Sequence, residues 1–175
     1  MSTDILCFYS KSADKPPGKG ASEQVQDISQ YAELAKLAHW RRTLSNFDVA
    51  PFTFRCNRYN TIEHVFQAMK TALVDGEKAA HFTLDSGHTI GQGDGRVAQA
   101  HRKYAMLDKS QIAIWATLSD HIMAEAAAAK YAEPANNHAR QVLVATNKAQ
   151  LMHISRGHPL KRFVHLEQIR EALIK

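Results

Sequence analysis

The sequence predicts an α-rich α+β fold, a single domain of mostly helices with a few short strands. Three observations carry this expectation. Apolar residues recur at helical spacing over 62–73 and again over the long stretch that follows Asp108. Asp4–Tyr9 and Phe52–Tyr59 have the composition of short strands and adjoin turn-forming residues. A length of 175 residues, 45% of them apolar, is enough for one domain with a sizeable core.

Each element follows in order. Asp4–Tyr9 reads as a strand. Lys11–Gly20 holds two prolines, two glycines and three lysines, which predicts a mobile surface loop. Ser22 to about His39 reads as an amphipathic helix capped by Ser22, with Val25, Ile28, Leu34, Leu37 and Ala38 inward. Phe52–Tyr59 is β-like, with Pro51 at its start, where a missing N–H is tolerated. A helix opening near Asn60 runs to about Val74, where Asp75-Gly76 stops it. Glu77–Leu84 is a short helix, Asp85–Gly95 with its four glycines a loop, and Arg96–Tyr104 helical. Asp108-Lys-Ser-Gln111 resembles a capping box that opens a helix to about Tyr131. Pro134 suits the first turn of the next helix, to about Ala145. Gly157 and Pro159 separate it from a last helix over Phe163–Ile174. No internal repeat or linker interrupts the chain.

Composition narrows the function classes. No apolar run approaches the roughly 20 residues that span a bilayer. The opening MSTDILCFYS lacks the basic and apolar regions of a secretory signal, so an intracellular protein, cytoplasmic or nuclear, is expected. Two cysteines, Cys7 and Cys56, fit a reduced compartment; they could pair, but they are no disulfide framework. The sequence contains neither HExxH nor CxxC, so no metal is expected despite ten histidines, and His153, His158 and His165 are dispersed. No GxSxG is present. A net charge of +5 suggests either a polyanionic or phosphorylated partner or simple surface basicity.

The densest chemistry lies in Leu44–Lys70, LSNFDVAPFTFRCNRYNTIEHVFQAMK. Ile62, Val65, Phe66, Met69 and Leu73 form one apolar stripe of the helix. Glu63, Gln67 and Lys70 form a polar stripe beside it. A carboxylate on a cleft wall suits glycosidic hydrolysis, because breaking that bond builds positive charge on the anomeric carbon and ring oxygen. The alternative is structural: with Asn60 as cap, Glu63 falls at the third position of a capping-box-like pattern.

This stretch resembles the signature of the YbiA-like, or NADAR, family. Its specific block is Ser45-Asn46-Phe47 followed by Glu63-His64-x-Phe66-Gln67-Ala68-x-Lys70. Cys7-Phe8-Tyr9-Ser10, Trp115 to Met123 with Lys130-Tyr131, and Leu143–Thr146 with Leu151 and His153 resemble further blocks. The sequence departs from the family pattern twice. A polar loop and an extra helix are inserted at about 11–43. The Trp-Gly-x-Gly block is replaced by the stretch from His153 to Arg162.

The resemblance implies an N-glycosidase that hydrolyses the bond between ADP-ribose and a guanine base in nucleic acid. Its alternatives are an N-glycosidase acting on phosphorylated riboflavin-pathway intermediates and a non-catalytic ADP-ribose or NAD-binding module. It implies Glu63 as the catalytic carboxylate, no cofactor, and ADP-ribose and ADP-ribosylated nucleic acid as partners. Asn46 would bond ribose hydroxyls within the Ser45-Asn46-Phe47 turn, or that turn is plain and Phe47 is core. Gln67 would hold hydroxyls or water and Lys70 a phosphate, or they are a solvated pair. Trp115 would stack on a base, or lies in the core with Ile112, Leu118 and Ile122. Arg96, after Gly91-Gln-Gly-Asp-Gly95, would meet the pyrophosphate at a helix N-terminus. Lys19, between Gly18 and Gly20, would reach over it, or is merely exposed. The oligomeric state is not specified by the sequence.

Overall fold

The computed structural model describes residues 4–175; the first three residues of the segment read for a leader lie outside them. The fold is α-rich α+β, as the periodicity predicts. In chain order the elements are β1 (Ile5–Phe8), α1 (Ala32–Lys36), α2 (Trp40–Thr43), β2 (Phe52–Phe54), β3 (Asn57–Tyr59) and α3 (Ile62–Thr71). Then come α4 (Gly76–Ala80), α5 (Thr89–Gln92), α6 (Gly95–Ala100), α7 (Lys109–Ala132), α8 (Asn137–Ala145), β4 (Gln150–His153), β5 (Lys161–Arg162) and α9 (Val164–Ile174). They form two compact units, 4–45 with 137–175 and 46–136.

The first unit is built on a three-stranded sheet ordered β1-β4-β5. β1 runs parallel to β4, with Leu6 opposite Leu151, and β4 is antiparallel to β5. Leu6, Phe8, Leu34, Trp40, Val142, Leu143, Leu151 and Leu166 are buried, and Phe8 meets Phe163 edge-to-face at 5.4 Å. The stretch that replaces Trp-Gly-x-Gly runs from the last residue of β4 through β5, turned at Gly157 with φ +77°. Glu167 fastens it, accepting from Leu151 N–H at 3.0 Å and from Arg162 at 3.0 and 2.7 Å.

Two expectations fail in this unit for one reason. Ser22–His39 is not one helix, and Lys11–Gly20 is pinned rather than loose. Ser22 has φ +64°, Gln24 bridges Ile5, a 3-10 turn spans Ile28–Tyr31, and only Ala32–Lys36 is α-helical. The Glu23 carboxylate, fully buried, takes Gly18 N–H at 2.9 Å, Gly20 N–H at 2.8 Å, Cys7 N–H at 3.2 Å and the Arg41 guanidinium at 2.7–2.8 Å. Arg41 also donates to the carbonyls of Lys15 and Pro16. Glu23 therefore satisfies loop backbone instead of lying on a helix face. Gly20 is required there: a Cβ would come within 2.6 Å of Glu23 Cδ and 2.9 Å of Arg41 Nε. Cys7 and Cys56 are both free. Burial, chiefly, pushes the Cys7 thiol up to about 11.

The second unit packs α3 against α4, α6 and α7, with the β2–β3 hairpin beside α7. The hairpin turns through Arg55 and Cys56, both at positive φ. Helix α7 opens with the expected capping box: Asp108 accepts from Gln111 N–H and Gln111 Oε1 accepts from Asp108 N–H, each at 2.9 Å. Pro134 lies in a turn before α8, not in its first turn, because the Asn136 side-chain amide draws that segment onto the carbonyls of Lys130, Ala50 and Pro51. The predicted loop over 85–95 contains α5, whose first turn is capped by His88 Nδ1 accepting from Ile90 N–H. The predicted helix 96–104 is α6 followed by a separate 3-10 turn over Arg102–Tyr104. Among the described residues no helix is long and apolar enough to cross a membrane.

Candidate functional site

Helix α3 organises the candidate site, and its cap differs from the expected one. Thr61, not Asn60, is the N-cap; its Oγ1 accepts from His64 N–H at 3.2 Å. Asn60 instead donates to the Gly93 carbonyl at 2.6 Å and accepts from Ala50 N–H. Glu63 thus occupies the second helical position, and its N–H, unpaired within the helix, reaches the Asn46 carbonyl at 3.0 Å. That bond ties the Asn46-Phe47 turn to the head of α3.

The burial of α3 also departs from a single stripe. Seven of its ten residues are buried: Ile62, Glu63, His64, Val65, Gln67, Ala68 and Thr71. Phe66, Met69 and Leu73, expected inside, are only half-buried. The helix is enclosed around most of its circumference, so its polar residues are enclosed too. Glu63 is 8% and Gln67 4% exposed.

Enclosure defines the electrostatics of Glu63. Removal from water pushes its carboxyl up to about 7, against the lowering influence of Gln67 and the Lys70 ammonium. Gln67 Nε2 donates to Glu63 Oε1 at 2.7 Å, while Gln67 Oε1 has no partner among the described residues. A buried amide oxygen left unsatisfied is costly, and it can accept a hydroxyl proton from a bound molecule or from protonated Glu63. Near neutral pH Glu63 is divided between acid and carboxylate, the state that suits proton transfer.

His64 holds this arrangement without facing solvent. Its Nδ1 lies 2.8 Å from Thr61 Oγ1 and its Nε2 2.9 Å from the Ile90 carbonyl, linking the α3 cap to α5. The carbonyl requires the proton on Nε2, and burial holds the imidazole below its usual pKa, so it is neutral.

The remaining candidates fall into three groups. Phe47 lies against the start of α6 so closely that a Cβ on Gly95 would come within 2.5 Å of its Cα. Asp94 caps α6, accepting from Arg96 N–H at 2.9 Å and Val97 N–H at 3.1 Å, and it also pairs with the Arg96 guanidinium at 3.1 Å. At the expected phosphate cradle the helix N–H groups are therefore taken by Asp94, while the Arg96 guanidinium stays largely exposed. Lys70 and Trp115 line one hollow of about 550 Å³. Trp115 is half-buried and edge-to-face with Phe66 at 4.9 Å; Ile112 and Leu118 are exposed, so its helical face is not core at this end of α7. Lys19 and Ser45 belong to the first unit, Lys19 exposed and Ser45 buried with its N–H on the Arg42 carbonyl.

One pair beside the turn has no role in the sequence reading above. Lys130, 1% exposed, bonds Asp48 at 2.8 Å. Burial holds its ammonium below the usual range and Asp48 opposes this. In the sequence Lys130 stands out as a lysine in an otherwise apolar helix end, within one of the resembling blocks.

Fold and site together define an α-rich α+β domain whose central helix presents an enclosed carboxyl with a raised pKa. The NADAR domain matches residues 29–158, and the chain belongs to that family, which is associated with N-glycosidase hydrolysis. The E. coli protein YbiA, solved by NMR, is similar in fold, with a TM-score of 0.57 and 19% identity, covering 99% of this chain and 87% of that one. No curated protein matches the chain.

Proposed function

We infer that this chain is an N-glycosidase that hydrolyses the bond between ADP-ribose and a guanine base in nucleic acid, releasing ADP-ribose and restoring the base. The observation that carries the reading is Glu63: enclosed, bonded to Gln67, and held at a pKa near neutrality in a NADAR domain. In the reaction the bond from the anomeric carbon to the base nitrogen breaks and a water oxygen bonds that carbon. One water proton goes to the base and the hydroxyl stays on the ribose. The carboxylate form of Glu63 stabilises the developing positive charge, takes that proton from the attacking water and passes it on to the departing base, returning to the carboxylate. The orphan Gln67 Oε1 holds the water or a ribose hydroxyl, and Asn46 contacts ribose beside it. The exposed Arg96 guanidinium meets phosphate oxygens, and Phe47 takes a base face.

The test is release of free ADP-ribose, followed by mass spectrometry, from single-stranded DNA ADP-ribosylated on guanine. Wild type should release it and Glu63→Gln should not, while both bind ADP-ribose. Equal release by the two would remove Glu63 from the chemistry. Binding without release by wild type would identify a binding module.

A further inference from the structure

The hollow beside Trp115 has features that hydrolysis at Glu63 does not use. Its walls are Lys70 from α3, Ala105–Asp108, and Ile112 and Trp115 from α7. Most of that lining is apolar, yet it is open: Met106 is 75% and Ile112 55% exposed. Water-facing apolar surface gathered around an indole and rimmed by polar residues marks an interaction site. The indole is braced edge-on by Phe66.

The charges around this surface are mostly positive. Arg102, Lys103 and Lys109 are exposed and flank the lining segment in the chain, and Lys70 is inside the hollow. Among the described residues no carboxylate forms an ion pair with any of the four. Asp108, the one acid in the lining, is occupied by the α7 cap and by Ser110 Oγ at 2.7 Å. An aromatic platform interleaved with unpaired cations is the pattern that binds unstacked bases and their phosphates.

We propose that this hollow seats an unpaired base of a single-stranded nucleic acid, with Trp115 as the stacking platform and Lys70, Arg102 and Lys103 on the adjoining phosphates. The inference rests on the reading above for its choice of polymer and extends it to a nucleotide next to the one hydrolysed. Duplex DNA, whose bases are already stacked, would fit poorly.

Fluorescence anisotropy of the full chain with an unmodified, labelled 12-nucleotide single strand tests it. Binding should weaken as salt rises. Arg102→Glu with Lys103→Glu should flatten that dependence by about 0.7 in log–log slope per lost phosphate contact. Trp115→Leu should weaken binding about tenfold, and Trp115→Phe, which keeps a ring, much less. Circular dichroism of both variants separates loss of platform from loss of fold, and the Phe variant decides if the Leu variant unfolds.

Equal affinity of Trp115→Leu, or of Phe and Leu variants alike, would overturn the proposal. So would a duplex bound as tightly as the single strand, or a mononucleotide bound as tightly as the 12-mer. Concentration-dependent dimerisation abolished by Ile112→Glu would assign the surface to a second copy instead. The two readings fail separately. Hydrolysis of an ADP-ribosylated guanine mononucleoside without strand binding removes only this inference. Strand binding without any hydrolysis removes only the glycosidase reading.

Discussion

Glu63→Gln should make the protein more stable, and increasingly so as pH rises. In the unfolded chain the Glu63 carboxyl titrates near 4.5; in the native protein it titrates near 7. Below both values it is protonated in either state and adds no difference. Between them the unfolded chain has released the proton and the native state has kept it. The native state then binds more protons, so stability falls as pH rises, and the loss is complete above about 7. A displacement from 4.5 to 7 corresponds to about 3 kcal/mol. The isosteric amide escapes this cost. Its Oε1 can still accept from Gln67 Nε2, and its own N–H can serve the orphan Gln67 Oε1. Urea unfolding of both proteins from pH 4 to 8 measures it, and taking the difference cancels every other titrating group. The variant's advantage should grow from near zero at pH 4 to about 3 kcal/mol at pH 8. A difference independent of pH, or one of opposite sign, would refute the claim that burial governs this carboxyl.

Other substitutions probe the surrounding architecture. Gly95→Ala drives a methyl into Phe47 and should cost about 1–3 kcal/mol or more, read as a lowered melting temperature. Arg41→Ala strands the Glu23 carboxylate in the interior; a loss of about 3–5 kcal/mol is expected by denaturation. In that variant limited proteolysis should open 11–20. Thr61→Ala removes the α3 cap and the His64 partner, for a loss of about 1 kcal/mol or more by urea denaturation; Thr61→Ser should retain most of it.

Helix α7 was legible because its signals are local. Asp108 and Gln111 cap each other across three residues, and no distant group competes for them. The strands at 5–8 and around 52–59 were legible for the same reason. Ser22–His39 was not, since its Glu23 is claimed by Arg41 and by loop amides that a helical wheel does not contain. Arg96 shows a like limit: a glycine-rich approach to a helix suggests an anion site, and only the structure shows that Asp94 caps that helix N-terminus.

For the site, the sequence alone determined which residues share α3, their spacing, and the resemblance that singles out Glu63. Residues four apart must neighbour on a helix, so the Glu63–Gln67 contact follows from spacing. The charge state of Glu63 does not. It depends on how many sides of α3 are covered, and covering comes from α4, α6 and α7, the last of them far along the chain. Periodicity records the face a helix prefers to bury, whereas desolvation depends on everything packed around it. Only the tertiary structure therefore turned a surface-type glutamate pattern into an enclosed acid poised near neutrality.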